Sequence, residues 1–350
     1  MAQDRTSRKK LLGQGESGAS RKTLASEGSL TDVPGVRVGH AHNIEARTGC
    51  TVVLCGADGA VAGVDVRGSA PGTRETDLLD PSNLVERVHA IVLTGGSVFG
   101  MDSACGVVRY LEEQGVGFDT GIARVPIVPA AVIFDLAVGD GRVRPDSRMG
   151  YEACERASND SVQEGAVGAG AGAMVGKMLG AGLASAGGIG TASMKLSTGA
   201  TVGVVVVVNS FGDIVDPMSG RILAGARSPR GRGWLDTSRA IEGGIIARLA
   251  DKSNHLQGHS FSAIENTTLA VVATDAALTK AQARKVASMA HDGMARAIRP
   301  IHTMFDGDTI FALSTGAMQG DVTTIGSVAA NLLARAIARV GRMTGAQKTR

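Results

Sequence analysis

Aromatic residues are scarce in this 350-residue chain, with seven Phe, two Tyr and one Trp, and proline is scarce too, at nine. Glycine is abundant instead: 49 glycines without a period-three repeat exclude a collagen-like chain and point to close backbone approaches and small-residue packing. Cysteine is rare. Cys50, Cys55, Cys105 and Cys154 form no Cys-x-x-Cys pair and have no histidine at zinc spacing, so neither a zinc ribbon nor a redox motif is supported, and reduced, buried thiols are expected. Long apolar runs are missing as well. The valine run from Val204 to Val208 is far too short to cross a bilayer, and the amino-terminal tail lacks an apolar core of signal-peptide length. A cytoplasmic protein is expected.

Charge of one sign is also lacking once the first 28 residues are set aside. The chain has 36 Lys and Arg against 33 Asp and Glu. Six of the basic residues (Arg5, Arg8, Lys9, Lys10, Arg21, Lys22) and only three acids (Asp4, Glu16, Glu27) fall in that tail, so the remainder is balanced. No basic groove for nucleic acid is implied. The tail, rich in Ser, Gly, Lys and Arg, has no hydrophobic period and is expected to be disordered. Hydrophobic content of 43% suffices for a substantial core in the rest, with structure beginning near Leu30.

Strands are expected at Val33 to His40, opened by Pro34-Gly35, at Thr48 to Leu54, and at Ala90 to Thr94, which runs through a glycine turn into a helical pattern from Met101 to Glu113. Asp65 to Thr76 reads as a loop. From Gly165 to Gly212 there is no Asp or Glu, and Lys177 and Lys195 are the only charges, so the segment should be mostly buried. It reads as a tightly packed Gly/Ala turn and helix, then a strand from Val202 to Val208 buried on both faces. The chain from Ser228 to Asn266 reads as an exposed connector. Beyond it come a strand at 268 to 274, a helix opened by a Thr279/Gln282 capping box and stopped by Pro300, a strand at Thr309 to Ser314, and an apolar-striped helix ending at Gly341. Strands grouped with helix pairs at both ends of the chain predict an α/β layered sandwich.

Several motifs fall short of their chemistry. Gly95-Gly96-Ser97-Val98-Phe99 lacks the second glycine of a serine-hydrolase elbow. Gly172, Gly176 and Lys177 are one residue short of a phosphate loop, and Met178 stands where Ser or Thr is required. Gly168, Gly170 and Ala173 fit the loose dinucleotide fingerprint but lack the acid about 20 residues on. His255 and His259 have metal spacing, yet Leu-Gln-Gly lies between them. No metal or cofactor is expected.

Ile264-Glu265-Asn266-Thr267-Thr268 precedes the apolar strand directly. By themselves these residues suit a polar turn, and cutting at Asn266/Thr267 would leave a threonine with a free α-amine. Such a residue carries its own general base, since an α-amine of pKa about 7.7 to 8.0 can accept the hydroxyl proton near neutral pH. Asn266-Thr267-Thr268 and Leu269 to Asp275, with His302-Thr303-Met304-Phe305-Asp306-Gly307-Asp308-Thr309 downstream, resemble the DmpA/NylC family of self-processing N-terminal nucleophile amidases and peptidases. Val33 to Leu54, Asp65 to Thr76 and Leu93 to Gly106 agree with it in order, and the nylon-oligomer hydrolase branch is the nearest pattern. The resemblance implies an α-β-β-α sandwich of the DmpA/ornithine acetyltransferase type. It implies a single domain from residue 29 to 350 that matures into an α chain (1–266) and a β chain (267–350), and a homo-oligomer that acts on small peptides or amides.

The resemblance also implies roles. Thr267 becomes the nucleophile, Asp306 and Asp308 the paired acids that orient it, Asn209 a donor to the oxyanion, and Lys177 a cation beside the acids. At Phe134 the nylon-oligomer hydrolase has tyrosine, so one contact to substrate or oxyanion differs here. Two other readings stand beside this one: an acyltransferase of ornithine acetyltransferase type using the same threonine, and a non-catalytic binding protein using the glycine-rich segment from 165 to 190.

Overall fold

The computed structural model describes residues 27–229, 231, 233–245 and 266–345. Most of the basic tail, most of the connector before Asn266, and His255 and His259 lie outside the described residues. Eleven strands build two facing sheets: β1 (Arg37–Asn43), β2 (Thr48–Leu54), β3 (Ala60–Val66), β4 (Thr73–Arg74), β5 (Arg87–Val88), β6 (Ala90–Thr94), β7 (Ala130–Val132), β8 (Gly188–Lys195), β9 (Thr201–Asn209), β10 (Thr267–Ala276) and β11 (Thr309–Met318). The five-stranded sheet runs β1-β2-β6-β7-β4, and the six-stranded sheet runs β8-β9-β10-β11-β3-β5. Helices α1 (Asp102–Glu113) and α2 (Ser147–Glu155) cover the first sheet; α3 (Lys280–Ala297) and α4 (Val322–Gly345) cover the second. The result is the α-β-β-α sandwich.

The alternation of β9 shows how the sequence makes these layers. Successive strand residues face opposite ways, so Val204, Val206 and Val208 pack with Val286, Met294 and Leu333 of the outer helices. Val205 and Val207 pack instead with Val53, Ile91 and Leu93 of the opposing sheet. Every residue of β9 is buried. Each such valine contributes roughly 1.5–3 kcal/mol over leaving it exposed, as an upper estimate. The third layer, between the five-stranded sheet and its helices, is held by Val52, Leu54, Val92, Val107 and Leu111.

Several expectations hold and several are corrected. The capping box at Thr279 and Gln282 is present and opens α3. Strands β2 and β6 occupy the expected residues. The first strand begins at Arg37, after the Pro34-Gly35 turn. The expected loop from Asp65 starts inside β3, a strand whose mixed sequence carries no clean alternation. Helix α4 runs through Gly341 to Gly345, because Gly341 lets it pass close to Ile214, whose Cγ2 a Cβ there would meet at 2.7 Å. The helix expected in the glycine-rich segment is absent. Gly168, Gly176 and Gly180 adopt positive φ, and the chain forms short 3-10 turns at Gly168–Gly170 and Lys177–Leu179 with a ribbon between Met174–Val175 and Ser185–Ala186. Cys50, Cys55 and Cys154 are buried as expected, but Cys105 is exposed on the outer face of α1.

Candidate active site

One end of the central strands of the six-stranded sheet collects the residues of interest, and strand direction is the reason. Strands β10 and β11 are parallel and joined through α3, so both begin at the same end of the sheet. Strands β9 and β3 are antiparallel to them and finish there. Asn209, the last residue of β9, is thereby paired with Thr267, the first of β10. Asn266 bridges Asp306 just ahead of β11. The segment after β3 closes the other side: Arg67 and Gly68 donate backbone N–H bonds to the Asp308 carbonyl, and Ala70 to that of Asp306.

The bond between Asn266 and Thr267 is buried, and its carbonyl oxygen receives two donors. The Thr267 hydroxyl donates to it at 2.6 Å, and the Gly307 backbone N–H donates to it at 2.7 Å. Glycine is needed at 307 for close approach, because a Cβ there would lie 2.6 Å from the Ala70 oxygen and 2.8 Å from Thr267 Oγ1. A donor aimed at a carbonyl oxygen stabilises negative charge as it develops there.

Both acids are fully buried, and each has its own partners. Asp306 accepts from the Thr303 backbone (2.8 Å) and hydroxyl (2.6 Å) and from the Phe211 N–H (3.4 Å). Asp308 accepts from the Thr268 N–H (2.7 Å) through Oδ1, and through Oδ2 from the backbone N–H and ring Nδ1 of His302 (3.1 and 2.7 Å). The expected hydrogen bonds between the two carboxylates and to Thr267 are therefore not made in the uncut chain. Burial first, then the charge of Asp308, pushes the Asp306 carboxyl up to about 6.

Lys177 is buried and donates to Asn209 Oδ1 at 2.9 Å, beside the Met174 N–H at 3.0 Å. An amide oxygen, and not a carboxylate, is its hydrogen-bond partner. Burial drives its ammonium down to about 7, against the nearby charges of Asp306, Asp135 and Asp308, which favour the proton. With Oδ1 so occupied, Asn209 turns its amide N–H outward, and it donates to the Phe134 carbonyl at 3.2 Å. Phe134 thus meets the site through its backbone, while its ring is half-buried.

Sequence reasoning missed Gly307, His302 and Asp135. Asp135 is buried beneath the site, accepts from the Gly96 N–H and the Thr48 hydroxyl, and is shifted upward by burial. Ser97 sits at φ +53 on the turn after β6, but among the described residues no histidine bonds its hydroxyl, and its N–H is held by the Ile133 carbonyl. Among the described residues no group of three His, Cys, Asp or Glu is placed to hold a metal. Two surface cavities, one lined by Asp65, Asp77, Asp80 and Arg284 and one by Thr198, Met318 and Asp321, are not lined by Thr267.

The model of peptidase family S58 matches residues 28–345, nearly the whole chain. The chain belongs to that family. Among S58 relatives, an uncharacterized aminopeptidase of Mycobacterium tuberculosis is 47% identical over 334 residues, covering 88% of this chain and 92% of the relative. A 6-aminohexanoate-oligomer endohydrolase of a Kocuria species is 30% identical over 315 residues, covering 86% and 82%. The L-aminopeptidase D-Ala-esterase/amidase of Ochrobactrum anthropi, described as a variant of the Ntn hydrolase fold, superposes with a TM-score of 0.65 at 19% identity, over 92% of this chain and 87% of that one. That likeness establishes the fold. This S58 protein is a hydrolase of amide bonds with the Ntn-hydrolase architecture, and among its described residues no helix is long and apolar enough to cross a membrane.

Proposed function

We propose that this S58 chain cuts itself between Asn266 and Thr267 and then uses Thr267 as an N-terminal nucleophile on small peptides or amides. The observation that carries this reading is the pair of donors on the Asn266 carbonyl, the Thr267 hydroxyl and the Gly307 N–H. In maturation the Thr267 oxygen adds to the Asn266 carbonyl carbon, Gly307 holds the developing oxyanion, and the C–N bond breaks to leave an ester and a free Thr267 amine. Water then opens the ester, giving an α chain ending in the Asn266 carboxylate and a β chain starting at Thr267.

In later turnovers that amine takes the hydroxyl proton, the oxygen attacks the substrate amide, the amine product leaves, and water releases the acid. Asn209 supplies an amide N–H to the oxyanion once cleavage frees it from Phe134. Lys177 fixes the Asn209 amide and balances the two acids, and Asp308 anchors the start of β10 through Thr268. The substrate class follows the relatives, whose names cover aminopeptidase and oligomer-hydrolase activities. A homo-oligomer is part of the same reading.

Intact mass under denaturing conditions tests it. The wild type should give two fragments meeting at Asn266/Thr267, and Thr267→Ala one full-length chain. A single uncut chain in both would overturn the self-processing mechanism. Hydrolysis of aminoacyl p-nitroanilides by the cut protein, and molar mass by light scattering, test the substrate class and the assembly.

A further inference from the structure

We infer that His302 is a positioning residue that sets the orientation of Asp308, and so gives the two acids unlike partners before the chain is cut. The inference rests on the self-processing reading above. His302 stands at φ +57, a left-handed conformation that is unfavourable for a residue with a Cβ. In that conformation both its backbone N–H and its ring Nδ1 reach the same atom, Asp308 Oδ2, at 3.1 and 2.7 Å. A carboxylate only accepts, so the ring Nδ1 is the donor in that bond.

The surroundings enforce that state. His302 Nε2 is buried and has no hydrogen-bond partner among the described residues. Its ring meets that of His291 edge to face at 4.7 Å. His291, fully buried on α3, is itself fixed, because its Nε2 donates to the Asp65 carbonyl at 3.0 Å and leaves Nδ1 bare and buried. Asp308, His291 and, behind it, Asp65 and Arg67 are the charged or titratable groups around the ring.

The consequence lies in the acid pair. All three donors on Asp308 are ones that a carboxylate accepts, two of them supplied by His302. Asp306 has no such imidazole, and burial first, then its neighbour's charge, pushes it upward. The two His302 donors hold Asp308 aimed at the Thr268 N–H, which holds the first peptide of β10 and with it the Thr267 hydroxyl.

The test compares His302→Gly and His302→Asn in freshly translated chains, following the rate of cutting, with unfolding midpoints measured alongside. Glycine accepts φ +57 and keeps the backbone donor but removes the ring. Asparagine also tolerates that conformation and offers an amide N–H near the Nδ1 position. A charge-assisted hydrogen bond of the usual strength predicts cutting about 10- to 100-fold slower in His302→Gly and recovery to within about threefold in His302→Asn. Cutting of His302→Gly within threefold of wild type, or His302→Asn as slow as His302→Gly, would overturn the inference. Thr267→Ala separates it from its premise: an uncut Thr267→Ala chain beside a fast His302→Gly chain rejects the role of His302 alone, whereas a cut Thr267→Ala chain rejects both.

Discussion

Gly307 donates its backbone N–H to the carbonyl oxygen of Asn266 at 2.7 Å, from a strand start that lies beside β10 only because the two strands are parallel. No side chain at 307 could coexist with this contact, since a Cβ would press on both Thr267 Oγ1 and the Ala70 carbonyl. Gly307→Ala should therefore slow self-cleavage at least ~10-fold, because displacement of about 1 Å at a reacting group can cost 10²-fold. Time-resolved gel analysis of newly made protein checks this, with a cleavage rate equal to wild type counting against the Gly307 donor.

Self-cleavage should depend on pH near neutrality. The Thr267 amine does not exist before the cut, so the hydroxyl proton must pass to another base, and Asp306 (about 6) and Lys177 (about 7) are buried site groups whose values fall in that range. Either works only when deprotonated. Cutting should be slow below about pH 6 and rise through the window from 6 to 7. A flat profile from pH 5 to 8 in stopped-flow acidification and neutralisation experiments would exclude both groups as the base.

Lys177 also makes a thermodynamic prediction with a definite sign. Its folded-state value is depressed below the unfolded value of 10.5, to about 7, so the unfolded chain binds more protons between those limits. Stability should then rise with pH from about 7 toward 10.5 through this group. In Lys177→Met that rise should disappear, visible as the wild-type urea midpoint gaining on that of the variant as pH increases from about 7.

Gly68 backs directly onto the acid loop, where a Cβ would collide with the Asp308 nitrogen and the Asp306 carbonyl. Gly68→Ala should reduce amidase activity and self-cleavage by about 10-fold or more. If activity survives unchanged, the loop after β3 does not set the acids' position.

The capping box of α3 serves as the contrasting case, far in role from the site. The Thr279 side chain accepts from the Gln282 N–H, and Gln282 Oε1 from the Thr279 N–H at 2.9 Å. Thr279→Ala should lower stability by about 1 kcal/mol while leaving cutting and turnover intact. Calorimetry with parallel activity measurements distinguishes these.

Much of the architecture was readable where local pattern and tertiary role coincide. The valine strand, the capped helix α3 and the apolar stripe of α4 announce themselves, since burial imposes their composition. The strand β3 does not, because Val61-Ala62-Gly63 pairs with β11 through backbone bonds and gives little side-chain signal. At the site, Thr267, Asp306, Asp308, Asn209 and Lys177 were named from the sequence, whereas Gly307, His302 and Asp135 were not. Gly307 acts through its N–H and Asp135 through contacts across the sheets. His302 sits six residues from the carboxylate it binds, a spacing that signals nothing until the chain folds back on itself. Lys177 shows the opposite error: its isolation in an uncharged segment correctly implied a partner, but an amide fills that place while the acids act at longer range.

The strand order of the larger sheet has one more consequence. Strands β10 and β11 lie between β9 on one side and β3 on the other. A chain cut before Thr267 would thus hold its carboxy-terminal piece enclosed by its amino-terminal piece, so the two could part only by opening both ladders at once. Dilution should not separate them. Once unfolded, however, they would have to find each other as separate molecules, so the protein would be able to fold alone only once, before it becomes an enzyme.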